Sequence, residues 1–159
     1  MIDWTIWQPR QRANLCFVLR PGEILLIRKK RGFGAGKING PGGKIDPNET
    51  ALESALREIF EEVCIQPLGA EERVALHFQF RDGYSLHCVV FLAHDFAGEA
   101  RETEEAIPLW TPLDAIPYDE MWEDDRYWLP LLVRGESFAG YFEFDGEQLF
   151  HHAVVVRPR

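Results

Sequence analysis

The feature that most constrains this chain is a glycine-rich run, Gly40–Gly43, that leads into an amphipathic helical pattern. Over Thr50–Ile65, apolar residues recur at three- and four-residue spacing, which is typical of one face of an α-helix. Thr50 followed by Glu53 forms a capping-box pattern that begins such a helix. Because glycine lets the backbone approach a ligand closely, the sequence predicts a helix beside a ligand-binding loop.

Three glutamates occupy another face of the predicted helix. Glu58, Glu61 and Glu62 are three and four residues apart, about one helical turn, so their carboxylates converge. Arg57 is the one basic residue close enough to relieve their repulsion, and it can pair with Glu61. Two interpretations follow, a solvated acidic face or a set of hard oxygen ligands for Mg²⁺ or Mn²⁺. The adjacent glycine-rich run favours the second.

The net charge of −9 limits the partners of the chain. An acidic protein is disfavoured as a binder of DNA or RNA, which requires a basic surface. If the substrate is a polyphosphate, a divalent cation must lie between its charge and the acidic residues. We therefore expect a small-molecule substrate and no direct contact with nucleic acid.

Length and composition predict one domain over residues 1–159, acting as a cytoplasmic monomer. No apolar run approaches the roughly 20 residues of a membrane-spanning helix, and the first residues lack the apolar core of a signal peptide. The three cysteines, Cys16, Cys64 and Cys88, are odd in number and widely spaced, which argues against a disulfide framework, and no Cys/His spacing fits a zinc site. Cys16 and Cys88 lie in apolar runs, which predicts buried free thiols.

The remaining pattern predicts a mixed α/β fold. The predicted strands are Ala13–Arg20, Glu23–Lys30, Arg73–Arg81, Ser85–His94, Ala106–Thr111, Phe138–Phe144 and Gln148–Val156, with one short strand inside the glycine-rich loop Arg31–Lys44. Two hairpins are predicted among them, around Asp82-Gly83 and Asp145-Gly146. A second helix is predicted over Asp119–Arg134, with Pro130 near a kink or break, and Asp95–Glu105 is predicted as a surface loop. The sum is an α/β (α+β) sandwich with a mixed central sheet and two main helices.

The segment from Gly43 to Ile65 resembles the Nudix box, G-x5-E-x7-R-E-U-x-E-E-x-G-U, in which U is a bulky aliphatic residue. The matching residues are Gly43, Glu49, Arg57, Glu58, Ile59, Glu61, Glu62 and Ile65. Cys64 departs, because the family has the helix-ending glycine there. The resemblance implies a Nudix-type α/β/α sandwich and a Mg²⁺-dependent pyrophosphohydrolase, in which water attacks a nucleoside diphosphate linked to another group.

The same resemblance implies roles for individual residues. The implied metal ligands are Glu58, Glu61, Glu62, Gly42 and Glu105. Glu49 would support the site from behind the ligands, and Arg57 would orient a glutamate and lower its pKa. The general base would be Glu58 or Glu62, between which the sequence does not decide. Glu104 and Glu105 are alternative candidates for one further carboxylate, or belong to a solvated loop.

Three further runs resemble the mammalian-type 8-oxo-dGTP diphosphatases within that family. They are Lys29–Lys37 followed by Asn39-Gly40, Met121–Leu132, and Gly140–Phe142. The resemblance implies a substrate pocket for a nucleobase, made of Asn39, Trp122, Asp124 and Asp125, with Phe33 and Phe78 as apolar walls and Lys29 lining it. Ile38 and Pro41 depart, because aromatic residues stand there in the family, so base selectivity could differ.

Adjacent carboxyl groups in an apolar pocket cannot easily both ionise, so one of Asp124 and Asp125 could stay protonated and donate while the other accepts. The alternative is an acidic first turn of a helix, favoured by the helix dipole. Trp122 suits stacking on a purine, and Asn39 carries both a donor and an acceptor.

Three functions remain open from the sequence. The first is hydrolysis of oxidised purine nucleoside triphosphates, such as 8-oxo-dGTP and 2-oxo-dATP, to the monophosphate and pyrophosphate, which sanitises the nucleotide pool. The second is hydrolysis of an alkylated purine nucleotide, a sugar nucleotide or a dinucleoside polyphosphate. The third is a non-catalytic nucleotide-binding module. The intact glutamates disfavour the third, and the intact Trp122, Asp124 and Asp125 favour the first.

Overall fold

The structure is a computed structural model that describes residues 1–158. Helix α1 spans Ala51–Val63 and is capped as predicted. The Thr50 hydroxyl accepts from the Glu53 amide at 3.1 Å, and the Glu53 carboxylate accepts from the Thr50 amide at 2.9 Å. The helix ends at Cys64, which adopts a left-handed conformation with φ 65° and donates its amide to the Phe60 carbonyl.

Eleven strands accompany the helices in the described residues. They are β1 (Gln11–Arg20), β2 (Glu23–Lys29), β3 (Ile38–Asn39), β4 (Gly42–Lys44), β5 (Gln66–Leu68), β6 (Glu71–Phe80), β7 (Ser85–Ala93), β8 (Asp95–Ala97), β9 (Ala106–Pro112), β10 (Phe138–Asp145) and β11 (Gln148–Val156).

The large sheet has the order β11-β10-β6-β7-β1-β2-β3, with β4 also paired to β1 and β9 to β2. The pairs β1/β7 and β6/β10 are parallel, whereas the other pairs of this sheet are antiparallel. The predicted mixed sheet is therefore confirmed, and so are both predicted hairpins, β6–β7 and β10–β11.

The two helices cover opposite faces of the sheet. Successive side chains of a strand point to opposite faces, so Val18 packs with Ile59 of α1, whereas Phe17 packs with Trp128 of helix α2, Asp125–Val133. Both clusters are fully buried at their centres. This arrangement confirms the α/β/α sandwich with two main helices.

The second helix is shorter than predicted. Instead of one helix over Asp119–Arg134, a single 3₁₀ turn at Tyr118–Glu120 is followed by extended backbone at Met121, and α2 begins only at Asp125. The break lets the Met121 side chain enter the core, where it is 5% exposed. Burial of an apolar side chain thus overrides the local helical pattern.

Two predicted loops contain strands. Part of Asp95–Glu105 forms β8, which pairs with β5, and the loop Arg31–Lys44 holds two short strands, β3 and β4, rather than one. Each strand pairs with a segment distant in the sequence, and local residue patterns do not reveal such partners. Cys16 and Cys88 are buried free thiols, as predicted. Within residues 1–158, no helix has the length and apolarity needed to cross a membrane.

Candidate active site

One cavity of about 430 Å³ joins the two predicted groups of site residues. Its acidic end is formed by α1 and the glycine-rich run, and its aromatic end by the segment before α2 and the β6–β7 hairpin. The predicted site residues that line it are Lys29, Phe33, Asn39, Gly42, Glu58, Glu62, Phe78, Glu105, Trp122, Asp124 and Asp125. The predicted residues Arg57, Glu61 and Glu49 do not line it.

Glu62 is the most deeply buried acid of the helix, at 5% exposure. Its Oε1 accepts a hydrogen bond of 2.8 Å from the Gly42 amide. Burial raises the pKa of Glu62 to about 8, and the nearby Glu58 carboxylate acts in the same direction. A carboxyl with such a pKa can exchange a proton near neutral pH, as a general base must.

Glu58 lies one turn earlier and reaches the cavity through the space beside Gly43. A side chain at Gly43 would place its Cβ 2.7 Å from the carboxyl carbon of Glu58, and one at Gly42 would lie 2.1 Å from the Asn14 carbonyl oxygen. Close approach to backbone therefore requires glycine at position 42, whereas a side chain at position 43 would displace the Glu58 carboxylate. Burial raises the pKa of Glu58, which Arg57 partly opposes.

Arg57 anchors the acidic face from outside the cavity. Its guanidinium donates to both carboxylate oxygens of Glu49, at 2.7 and 2.8 Å, and these bonds lower the pKa of Glu49 to about 2. The same group lies 3.2 Å from Glu58 and 3.2 Å from Glu61. Glu61 is 52% exposed and paired with Arg57, so the structure does not bring it to the cavity with the other two glutamates.

Of the two alternatives in the acidic loop, Glu105 lines the cavity and Glu104 does not. The Glu105 carboxylate pairs with Arg31, whose hydrogen bond and charge lower the pKa of Glu105. The Thr103 hydroxyl accepts from the Glu105 amide at 3.1 Å and donates to the Glu62 carbonyl at 2.7 Å. Thr103 thus ties this loop to the end of α1, a role that the sequence pattern did not reveal.

The acidic end fits a divalent cation by the chemistry of its donors. Glu58 and Glu62 are hard oxygen donors in a shared space, and Gly43 leaves room beside one of them. Among residues 1–158, however, no three His, Cys, Asp or Glu side chains are already grouped closely enough to hold a metal ion. Two predicted ligands are instead engaged in ion pairs, Glu61 with Arg57 and Glu105 with Arg31.

At the aromatic end, the rings of Trp122 and Phe33 are stacked, with centroids 5.1 Å apart and planes 10° apart. Gly34, with φ +82°, places its backbone against the indole, where a Cβ would lie 3.0 Å from Nε1. Asn39 donates from Nδ2 to the Lys37 carbonyl, and Lys29 donates from Nζ to the Phe33 carbonyl. The flat rings provide a surface suited to a planar base.

Asp124 and Asp125 form the floor of the same end and are 3% and 9% exposed. Asp124 accepts a hydrogen bond of 2.7 Å from the Trp128 indole, and burial raises its pKa to about 6. Burial and the Asp124 charge raise the pKa of Asp125 well above its ordinary value. These pKa shifts agree with the hypothesis that at least one of the two carboxyls is protonated.

The sequence missed several aromatic residues of the cavity, namely Phe80, Tyr84, Trp128 and Phe144. Phe78 and Phe80 share one face of β6 because they are two residues apart, and that period could have identified Phe80. No comparable sequence pattern identifies Tyr84 and Phe144, because it is the β6–β7 turn and the order of strands in the sheet that place them at the cavity. The departures Ile38 and Pro41 are buried outside the cavity lining.

Comparison with known proteins agrees with this geometry. The oxidized purine nucleoside triphosphate hydrolase of zebrafish (Danio rerio) is 40% identical over 147 residues, which cover 92% of this chain and 91% of the relative. The mouse (Mus musculus) protein of the same name is 40% identical over 135 residues, covering 84% and 86%. The crystal structure of a MutT protein from Bacillus halodurans superposes with a TM-score of 0.81 at 24% identity, covering 91% of this chain and 97% of that one. The profile of the NUDIX domain matches residues 9–132. This chain is therefore a member of the Nudix hydrolase family.

Proposed function

We propose that this protein hydrolyses oxidised purine nucleoside triphosphates, such as 8-oxo-dGTP and 2-oxo-dATP, to the monophosphate and pyrophosphate. The observation that carries the proposal is the single cavity in which Glu58 and Glu62 lie at one end and Trp122, Asp124 and Asp125 at the other. A bound nucleotide can thus reach an acidic and an aromatic subsite together. The names of the zebrafish and mouse relatives support the same substrate class.

At the acidic end, Glu58 and Glu62 would hold Mg²⁺, or Mn²⁺, together with the backbone of Gly42. Glu61 and Glu105 would leave their ion pairs with Arg57 and Arg31 to bind the same cation. When bound, the cation would neutralise the polyphosphate charge and promote attack by water. Glu58 and Glu62 are both candidates for the general base, because each places a carboxyl at the acidic end of the cavity and burial raises the pKa of each. Arg57 and Glu49 fix the helix face on which these acids lie.

At the aromatic end, the purine would bind against the stacked rings of Trp122 and Phe33, with Phe78 as a further apolar wall. A protonated carboxyl of the Asp124–Asp125 pair can donate a hydrogen bond while an ionised one accepts. Asn39 adds a donor and an acceptor, and Lys29 lines the same cavity. This combination suits bases whose donor pattern is altered by oxidation, since 8-oxoguanine donates at N7, where guanine accepts.

Chromatographic identification of the products formed from each member of a nucleotide panel tests the proposal directly. The panel contains 8-oxo-dGTP, 2-oxo-dATP, dGTP, dATP, an alkylated purine nucleotide, a sugar nucleotide and a dinucleoside polyphosphate. We expect the highest kcat/KM for an oxidised purine triphosphate, pyrophosphate as product, and complete loss of activity in excess chelator. Preference for dGTP, for the alkylated purine nucleotide, for the sugar nucleotide or for the dinucleoside polyphosphate would contradict the proposed substrate class. The family assignment would not be affected.

The charge of the protein bears on the form of its substrate. With a net charge of −9, its surface disfavours nucleic-acid phosphates, so free nucleotides are the expected substrates. We propose a monomer acting on the cytoplasmic nucleotide pool.

A further inference from the structure

The N-terminal segment, residues 2–10, packs on the face of the sheet that points away from the cavity. The Trp4 ring lies 5.2 Å from that of Tyr141 on β10, and the Trp7 ring lies 5.6 Å from that of His77 on β6. The two indoles also contact each other edge to face, at 5.3 Å. These aromatic contacts hold the segment on the sheet.

Gln79 connects this segment to the wall of the cavity. The indole N–H of Trp7 donates to Gln79 Oε1 at 2.9 Å. The side-chain nitrogen of Gln79, Nε2, donates in turn to the backbone carbonyls of Phe80, at 2.9 Å, and Tyr84, at 3.2 Å. Gln79 therefore uses its acceptor toward the N-terminal segment and its donors toward the β6–β7 turn.

The side chains beyond that turn lie in the cavity. Adjacent residues of a strand point to opposite faces, so Phe80 faces the cavity while Gln79 faces the N-terminal segment. The Phe80 ring lies 6.2 Å from Trp122 and is stacked on Phe144 at 5.3 Å. The Tyr84 ring lies 5.7 Å from that of Phe33. A shift of the turn would therefore move two rings of the aromatic end.

A second contact anchors the same turn. The Arg10 amide donates to the Ser85 hydroxyl at 2.8 Å, next to Tyr84 in the chain. The turn itself is closed by the Phe80 amide donating to the Tyr84 carbonyl at 2.9 Å. The Gln79 side chain donates to the carbonyls of Phe80 and Tyr84 as well. Loss of Gln79 would therefore remove two hydrogen bonds that stabilise the turn.

We infer that Trp7 and Gln79 are positioning residues that set where the aromatic wall of Phe80 and Tyr84 meets the substrate base. The inference rests on the proposed function, since it assigns that wall to base binding. Neither Phe80 nor Tyr84 is a proposed metal ligand or general base. The position of the wall therefore governs substrate binding rather than the chemical step. The N-terminal segment thereby acts on substrate binding from the opposite face of the sheet.

Two variants break the connection at different points, and a third is a matched control. Trp7→Phe keeps an aromatic ring and removes the donor to Gln79. Gln79→Glu keeps the acceptor for Trp7 and removes both donors to the turn. The control, Trp4→Phe, alters the same aromatic cluster but no bond to Gln79. For the nucleotide that the wild type hydrolyses best, we expect KM to rise about three- to tenfold in the first two variants, kcat to change less than about twofold, and Trp4→Phe to match wild type.

Hydrogen–deuterium exchange of the free protein provides a readout that needs no substrate. Amides of residues 80–85 are expected to exchange faster in Trp7→Phe and Gln79→Glu and to keep wild-type rates in Trp4→Phe. Unchanged exchange in Gln79→Glu, or faster exchange with unchanged KM, would overturn the inference. If the wild type hydrolysed no nucleotide of the panel, the proposed function would fail, and the calorimetric Kd for 8-oxo-dGMP would replace KM with the same rise expected.

Discussion

At the scale of the residue, the burial of carboxyl groups distinguishes this protein most clearly. Glu62, Asp124 and Asp125 are nearly inaccessible, and burial raises the pKa of each. Burying an unpaired carboxylate is costly, so groups of this kind are uncommon in a core that serves stability alone. Their presence at the two ends of one cavity favours a functional reason for keeping them.

Replacing Glu62 by glutamine tests the acidic end. In Glu62→Gln the side-chain oxygen can still accept from the Gly42 amide, so the fold should survive. The variant lacks the negative charge and the proton-accepting group, and we expect kcat to fall at least about 100-fold. Steady-state kinetics at saturating Mg²⁺ measure the effect, with the exposed Glu72→Gln as control. Near-normal turnover of Glu62→Gln would move the catalytic role to another residue.

Selectivity for the oxidised base is predicted to depend on the residues of the aromatic end. We expect Asp124→Asn, Asp125→Asn and Asn39→Ala each to lower kcat/KM for 8-oxo-dGTP by about ten- to a few hundred-fold, because a buried hydrogen-bonding group is lost or left unpaired. The dependence on Mg²⁺ concentration should stay as in wild type. Asp119→Asn, at a side chain that is 99% exposed, is the control. Three variants with wild-type kinetics would show that the base binds elsewhere.

At the scale of the element, α1 combines a well-formed start with an unfavourable end. The capping box satisfies amides at the N-terminus, whereas Cys64 occupies a left-handed position that favours glycine. A residue with a Cβ in that conformation destabilises the folded state by about 1–2 kcal/mol. Glycine would relieve this strain, but the greater conformational entropy of glycine in the unfolded chain would offset part of the gain. The helix thus retains its acidic face at a small cost in stability.

Cys64→Gly is therefore expected to leave the melting temperature unchanged or slightly raised, and the hydrolysis rate unchanged. Thermal unfolding followed by circular dichroism measures the first quantity, and steady-state kinetics the second. Cys64→Ala is the matched control, because it removes the thiol but keeps the Cβ, and it should gain no stability. A large loss of activity in Cys64→Gly alone would reveal a function of the helix end beyond its shape.

At the scale of the whole molecule, the buried carboxyls make stability depend on pH in an unusual direction. A carboxyl whose pKa is raised on folding stabilises the fold at low pH, and this contribution is lost as pH rises through the folded pKa. For Asp124 that pKa is about 6 and for Glu62 about 8. Glu49, whose pKa is lowered to about 2, acts oppositely and only in stronger acid.

We therefore expect the melting temperature, measured in excess chelator, to fall as pH rises from about 5 to about 8. Asp125→Asn should flatten this dependence and raise the melting temperature at the alkaline end, because asparagine cannot ionise in the buried site. Differential scanning calorimetry across the range checks both outcomes. A melting temperature that rises steadily toward pH 8 would show that these carboxyls are already ionised at low cost.

The sequence alone determined the parts that depend on local spacing. The capping box and the apolar stripe specify α1, and the i, i+4 spacing puts Glu58 and Glu62 on one side of it. The alternation in β6 specifies which residues enter the core, and the paired apolar runs around short turns specify the two hairpins. In each case the determining interactions lie within a few residues, so the pattern is complete in the linear chain.

Tertiary structure decided what depends on distant partners. The pairing of β5 with β8, the break before α2 that buries Met121, and the arrival of Tyr84 and Phe144 in the cavity all follow from sheet order. It also decided that Arg57 binds Glu49 as well as Glu61, that Arg31 binds Glu105, and that Trp7 reaches the cavity wall through Gln79. These contacts join residues of separate elements, or choose among several partners, and neither burial nor ion pairing across a fold is encoded in residue spacing.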